Sequence, residues 1–156
     1  MVCTACPYES AISIDSPKVA VNKALIGVWK KETEREEPNN YDIRKADEFT
    51  YNITENIYKK EDRSLQQKRY SAFVSVLEGK MYLNVKMIKD SVNITVSDNY
   101  FLYKIELQDA KLKLMPLSQY IRERFEKPLE LQNFIKKYQE LSFFYAEHED
   151  YVKVND

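Results

Sequence analysis

The sequence predicts a mainly β protein: an antiparallel meander β-barrel with C-terminal helices and a final strand. Three observations lead there. From Leu25 to about Leu117, apolar and polar residues alternate with a period of two, as in strands with one buried face. Short turns separate these stretches, which leaves no room for the crossover helices of a parallel sheet. After Pro116 the apolar spacing changes to three and four, the helical period, before a short alternation returns at Tyr151.

At 156 residues the chain is most simply one domain, large enough to bury a core without disulfides or metal. Hydrophobic residues at 44% and charged residues at 31% fit a globular chain with a well-charged surface rather than a disordered one. Twelve tyrosines dominate an aromatic share of 13%, and flat rings favour a pleated surface over a helix. Lys plus Arg number 24 against 25 Asp plus Glu, so no global field draws in nucleic acid, and no nucleic-acid partner is expected. The run KKETEREE at 30 to 37 mixes both signs and reads as a solvated face. No stretch approaches the roughly 18 apolar residues of a membrane span. Residues 1 to 24 lack the apolar centre of a signal peptide, so the chain is expected to be either cytoplasmic or a mature form whose leader has been removed.

Residues 1–23 carry Pro7, Ser10, Ser13, Ser16 and Pro17 and read as an extended tether with little to bury, ahead of a barrel domain at 24–156. The first strand follows Leu25 and holds Gly27 and Trp29. Tyr41 to Arg44 form a short partner. Phe49, Tyr51, Ile53 and Ile57 then alternate with Thr50, Asn52, Thr54 and Asn56. In RYSAFVSVLEGKMYLNVKMI, 69 to 88, two strands meet across Glu78-Gly79, where glycine supplies the positive φ of a two-residue hairpin. A weaker strand is expected at Val92 to Val96, another at Tyr100 to Gln108, and a third in KLKLMPL after Asp109-Ala110. Helices are expected at about 118–140. Ser118 caps the first, carrying Tyr120, Ile121, Arg124 and Phe125; Pro128 opens the second, with Leu131, Phe134, Ile135, Tyr138 and Leu141 on one stripe. Tyr151 to Val154 form the last strand.

Most catalytic chemistries find no support. The only histidine, His148, lies in the acidic run AEHED, a poor place for a desolvated triad. Glu147, Glu149 and Asp150 read as a solvated loop, since the glycine and spacing of a calcium loop are missing. Two separated glycines exclude P-loops and dinucleotide fingerprints. A non-enzyme is expected, with no metal and no cofactor. Cys3 and Cys6 form a C-x-x-C pair, but zinc needs further ligands and no βαβ pattern follows for redox use. Both of those readings are weak; a third expectation is that one of the two is the acylated first residue of a bacterial lipoprotein, and a fourth that both are plain tail thiols.

A meander of this length must close or stack to protect its edges. A tryptophan early in the first strand is placed to plug one end of a small barrel, and Gly27 before it would allow a close approach. Gly27-Val28-Trp29 resembles the Gly-x-Trp signature that opens the first strand of lipocalin-like (calycin) barrels. LIGVWKK, YSAFVSVLEGKMYLNV, KLKLMPLS and ELQNFIKKYQELSFFYAE, together spanning 25 to 147, are similar to lipocalin-like bacterial envelope lipoproteins. Ser97-Asp98-Asn99-Tyr100 echoes a second lipocalin motif, and Arg122 and Arg124 stand where an arginine would pack over the tryptophan.

The resemblance implies a bacterial cell-envelope location, with the membrane reached only through a lipid on Cys3 or Cys6. It also implies a small hydrophobic ligand in the barrel. Tyr51, Phe73, Tyr82 and Tyr103 are the expected lining, because amphipathic rings contact an apolar ligand while their hydroxyls orient it. The rival expectations are a filled barrel acting as a structural or protein-interaction module, and an open-sheet domain with helices against its face. No oligomeric state follows from the sequence.

Overall fold

The computed structural model describes residues 7–92 and 97–155. After a two-residue strand β1 (Glu9–Ser10), the strands are β2 (Gly27–Lys31), β3 (Asn40–Lys45), β4 (Tyr51–Lys59), β5 (Ser64–Leu77), β6 (Lys80–Asp90), β7 (Tyr100–Gln108), β8 (Lys111–Pro116) and β9 (Glu149–Asn155). Among the described residues a single α-helix, α1 (Pro128–Tyr138), precedes β9. Strands β2 to β8 pair as an antiparallel meander, and β9 joins β8 to β2, so the eight strands β2 to β9 close as a barrel. Closure removes the exposed edges that would otherwise template aggregation. The open-sheet alternative is thereby excluded.

Turn chemistry sets the register. β5 and β6 meet at Glu78-Gly79, where both residues take positive φ (50° and 79°), the left-handed pair a tight hairpin needs. Asp109 does the same between β7 and β8 (φ 55°). Gly27 sits at φ 144°, a conformation L side chains rarely adopt. Its role is therefore to turn the chain from the short 3-10 turn at Lys23–Leu25 into β2. That turn brings the Leu25 carbonyl to 2.9 Å from the Trp29 indole N–H, which donates to it.

Two cores result. The interior holds Leu25, Trp29, Ile43, Tyr51, Ile53, Ala72, Val74, Leu83, Val85, Ile105, Leu112 and Tyr151. A second core lies outside the barrel wall, where Leu77, Tyr82 and Leu102 meet Tyr8, Ile14, Leu131, Ile135 and Phe144. Leu131 and Ile135, one helical turn apart on α1, are fully buried; each contributes about 1.5–3 kcal/mol by leaving water.

The lead-in is more than a tether. From β1, paired with Tyr100 and Phe101 of β7, it descends the outer wall and buries Tyr8, Ser10 and Ile14. It then crosses beneath the barrel, where the Asn22 N–H donates to the Tyr51 hydroxyl at 2.7 Å and Val19 and Val21 pack on the interior core. Residues 1–6 of the proposed tether, with Cys3 and Cys6, lie outside the described residues, as do residues 93–96 of the strand expected at Val92 to Val96.

The first of the two expected helices does not form. Residues 118–127 run irregularly, with Ser118 Oγ accepting only the Tyr120 N–H of a turn. The Glu123 carbonyl is taken by the Tyr8 hydroxyl at 2.7 Å, so tertiary contact with the strap replaces the helical hydrogen bond. The second helix forms as its period requires, with Pro128 in its first turn. Among the described residues no helix is long and apolar enough to cross a membrane.

Candidate functional site

The barrel interior is not filled. Below, Trp29 (1% exposed) and Leu25 form a floor, where only a small void of about 10 Å³ remains beside Tyr51. Above it lies a cavity of about 360 Å³, walled by aliphatic side chains such as Ile43, Ile53, Leu83, Val85 and Leu114. Polar groups also line it: Tyr41 from β3, Lys68 and Tyr70 from β5, Tyr103 from β7, and Glu149 and Tyr151 from β9.

These hydroxyls are organised by carboxylates. Tyr41 donates to Glu55 Oε2 at 2.9 Å and Tyr70 to Glu55 Oε1 at 2.8 Å. Tyr151 donates to Glu149 Oε2, and the edge of one ring meets the face of the other between Tyr41 and Tyr151, centroids 5.6 Å apart. Burial, reinforced by Tyr151 and Glu55, pushes the Tyr41 hydroxyl far above the usual phenol range. Burial does the same to Tyr70 and Tyr151, helped by Glu55 and Glu149 respectively. Tyr103 is also raised, by burial first and then by Glu149 and Glu55. All four therefore remain neutral donors at ordinary pH.

Pro7, Tyr103 and Glu149 also border an outer groove of about 680 Å³, so they mark the cavity's doorway. Glu32, Glu34, Glu147 and Asp150 line that groove along with Lys31 and His148. Lys31 pairs with Glu149 at 3.4 Å and His148 with Asp150 at 3.5 Å.

Of the four residues expected to line the interior, Tyr103 does so. Tyr51 points inward but belongs to the floor, its hydroxyl held by Asn22. Phe73 and Tyr82 do not line the cavity. Phe73 alternates with the inward Ala72 and Val74 and packs edge-on against Tyr100. Tyr82 lies in the outer core, donating to Gln139 Oε1 at 2.9 Å. The phase was reversed because both faces of β5 and β6 are apolar, one covered by the interior and the other by the strap and α1.

Sequence reasoning missed Tyr41, Tyr70, Tyr151, Glu55 and Glu149. Glu55 had a readable signal, since it falls in the inward phase Tyr51, Ile53, Ile57, where a carboxylate needs partners. The cation over the tryptophan is also a different residue. Lys153 Nζ lies 5.3 Å from the Trp29 ring, while Arg124 sits 5.2 Å over Tyr8 and Arg122 is exposed. Lys153 lies opposite Trp29 on the neighbouring strand, whereas residues 118–127 stand at the other end of the barrel, beside β1.

Compared with known proteins, the chain matches no family model, no curated protein and no solved structure.

Proposed function

We propose that this barrel binds a small apolar or amphipathic molecule in its interior and performs no covalent chemistry on it, as a lipocalin-like, calycin-type binding module. The observation that carries this reading is the cavity of about 360 Å³ above the Trp29 floor. Small-molecule sites span about 300–1,000 Å³ and combine apolar walls with a few placed polar groups. Each methylene a ligand buries against Ile53, Leu83 and Val85 contributes about 0.8 kcal/mol, and the tyrosine hydroxyls orient its polar end. In this reading the chain is a bacterial envelope lipoprotein, anchored through Cys3 or Cys6; the alternative is a cytoplasmic carrier without the lipid.

Trp29 is the chain's only tryptophan and lines the cavity, so its emission reports occupancy. Titration with a panel of fatty acids, retinoids and other apolar probes should give a saturable change, lost in Val85→Phe, which fills the space. A folded protein that responds to no probe would reject the reading. The rival, a protein-interaction module, draws on Tyr120, Leu129 and Phe143, which stay 77%, 64% and 73% exposed. It calls for a filled barrel, and the open interior favours the binding reading over it.

A further inference from the structure

The polarity of the cavity narrows the ligand class, given that the barrel binds a ligand at all. A phenol hydroxyl has one proton and two lone pairs. Tyr41, Tyr70 and Tyr151 have each committed that proton to a carboxylate, Glu55 for the first two and Glu149 for the third. What they leave for an occupant is lone pairs only. Three of the four hydroxyls lining the cavity are therefore acceptors, and behind them stands the negative charge of Glu55. The fourth, Tyr103, has no hydrogen-bond partner among the described residues and lines both the cavity and the doorway. An occupant's polar end meets acceptors from three sides.

Charge points the same way. The cation lining the cavity is Lys68, and the register places it between Glu55 on β4 and Asp90 on β6. Glu149 is matched by Lys31. The groove outside the doorway adds Glu32, Glu34, Glu147 and Asp150. An anion entering here would cross a like-charged rim and then face lone pairs; a cation would be drawn in and find acceptors.

We propose that the cavity's ligand is an organic ammonium, a protonated amine on an apolar body, whose N–H groups donate to the Tyr41, Tyr70 and Tyr151 hydroxyl oxygens with Glu55 supplying the countercharge. The apolar body lies against Ile53, Leu83 and Val85.

The test uses three probes on one carbon skeleton, octylamine, octanol and octanoate, titrated into the full chain with calorimetry and Trp29 emission as readouts. Octylamine should bind at least about tenfold more tightly than octanoate. In Glu55→Gln the carboxamide N–H₂ donates to one hydroxyl and turns its proton toward the cavity, so octylamine should weaken about tenfold and octanol hardly change. Lys68→Met removes a positive charge from the cavity lining, so octylamine should bind more tightly. Octanoate binding as tightly as octylamine, or needing Lys68, would overturn the ammonium assignment and leave the binding barrel standing; so would a folded Glu55→Gln protein that holds octylamine unchanged. If none of the three binds and the apolar panel is also silent, both readings fall together.

Discussion

The carboxamide of Asn84 holds the backbone of Ile14 against the outer wall of the barrel: its Oδ1 accepts the Ile14 N–H at 2.8 Å. Asn84 is fully buried, and its Nδ2 donates to the Phe73 carbonyl at 3.2 Å and to Ser75 Oγ at 2.8 Å. Ser75 passes its own proton to Asp15. From the other side, Gln132 of α1 donates to the Ile14 carbonyl at 2.8 Å. The strap is thus hydrogen-bonded between barrel and helix.

Asn84→Ala leaves the Ile14 N–H unpaired and removes the donors to the Phe73 carbonyl and Ser75 Oγ, the latter still bonded to Asp15. The expected cost is about 2–4 kcal/mol, read as a lower urea midpoint. Amide exchange at Ile14 should accelerate more than exchange at Val85 on the inner face, because the strap loosens before the barrel opens.

Tyr82 and Gln139 tie the end of α1 to the wall, with Gln139 in turn donating to Glu78 Oε2 at 2.9 Å. Tyr82→Phe keeps the ring and removes the hydroxyl, so about 1 kcal/mol of stability should be lost. A double-mutant cycle with Gln139→Ala should show coupling of about 0.5–1.5 kcal/mol. A coupling of zero would mean that the pair contributes nothing to docking.

Gly27→Ala places a Cβ on a residue at φ 144°. The expected loss is about 1–3 kcal/mol, with a shift in Trp29 emission as the Leu25 carbonyl leaves the indole N–H. An alanine variant as stable as the parent would show that the turn relaxes freely.

The four cavity tyrosines set an alkaline limit. Burial raises Tyr41, Tyr70, Tyr103 and Tyr151 well above the ordinary phenol value of 10.0. Above that pH the unfolded chain releases these protons while the folded chain keeps them, so the unfolded state is favoured. Stability from this source is complete below about pH 10 and falls as pH rises further, by up to about 1.4 kcal/mol per pH unit for each tyrosine. Denaturant midpoints between pH 8 and 11.5 should drop steeply only above 10, and absorbance at 295 nm should show these phenols ionising together with unfolding.

Much of the architecture is legible in local patterns. The hairpin at Glu78-Gly79, the turn at Asp109-Ala110 and the helix opened by Pro128 each follow from backbone preferences of a few adjacent residues. The missing helix at Ser118 shows the limit of that reasoning. Its apolar residues Ile121 and Phe125 pack on the outer core, but the backbone is held by Tyr8, 115 residues away, and no local signal announces that partner.

The site was less legible than the fold. Period-two alternation in YSAFVSV states that two faces differ, and it is silent on which one is inside. Phe73 and Tyr82 looked like the lining; Tyr70 and Tyr151 are. By itself the sequence determined an antiparallel meander with a tryptophan at its head, because pleat, turn and helix periods are properties of neighbouring residues, while its closure through β9 is a long-range pairing. Only the tertiary structure decided which face meets the cavity. The strap from Tyr8 to Ile14 and the Leu131–Ile135 stripe of α1 cover the outer wall, so both faces of β5 to β7 are apolar and hydrophobicity no longer distinguishes inside from outside. Tyr41 and Tyr70 reach Glu55 from the strands on either side of it, whereas closure of the barrel is what brings Tyr151 of β9 against Tyr41.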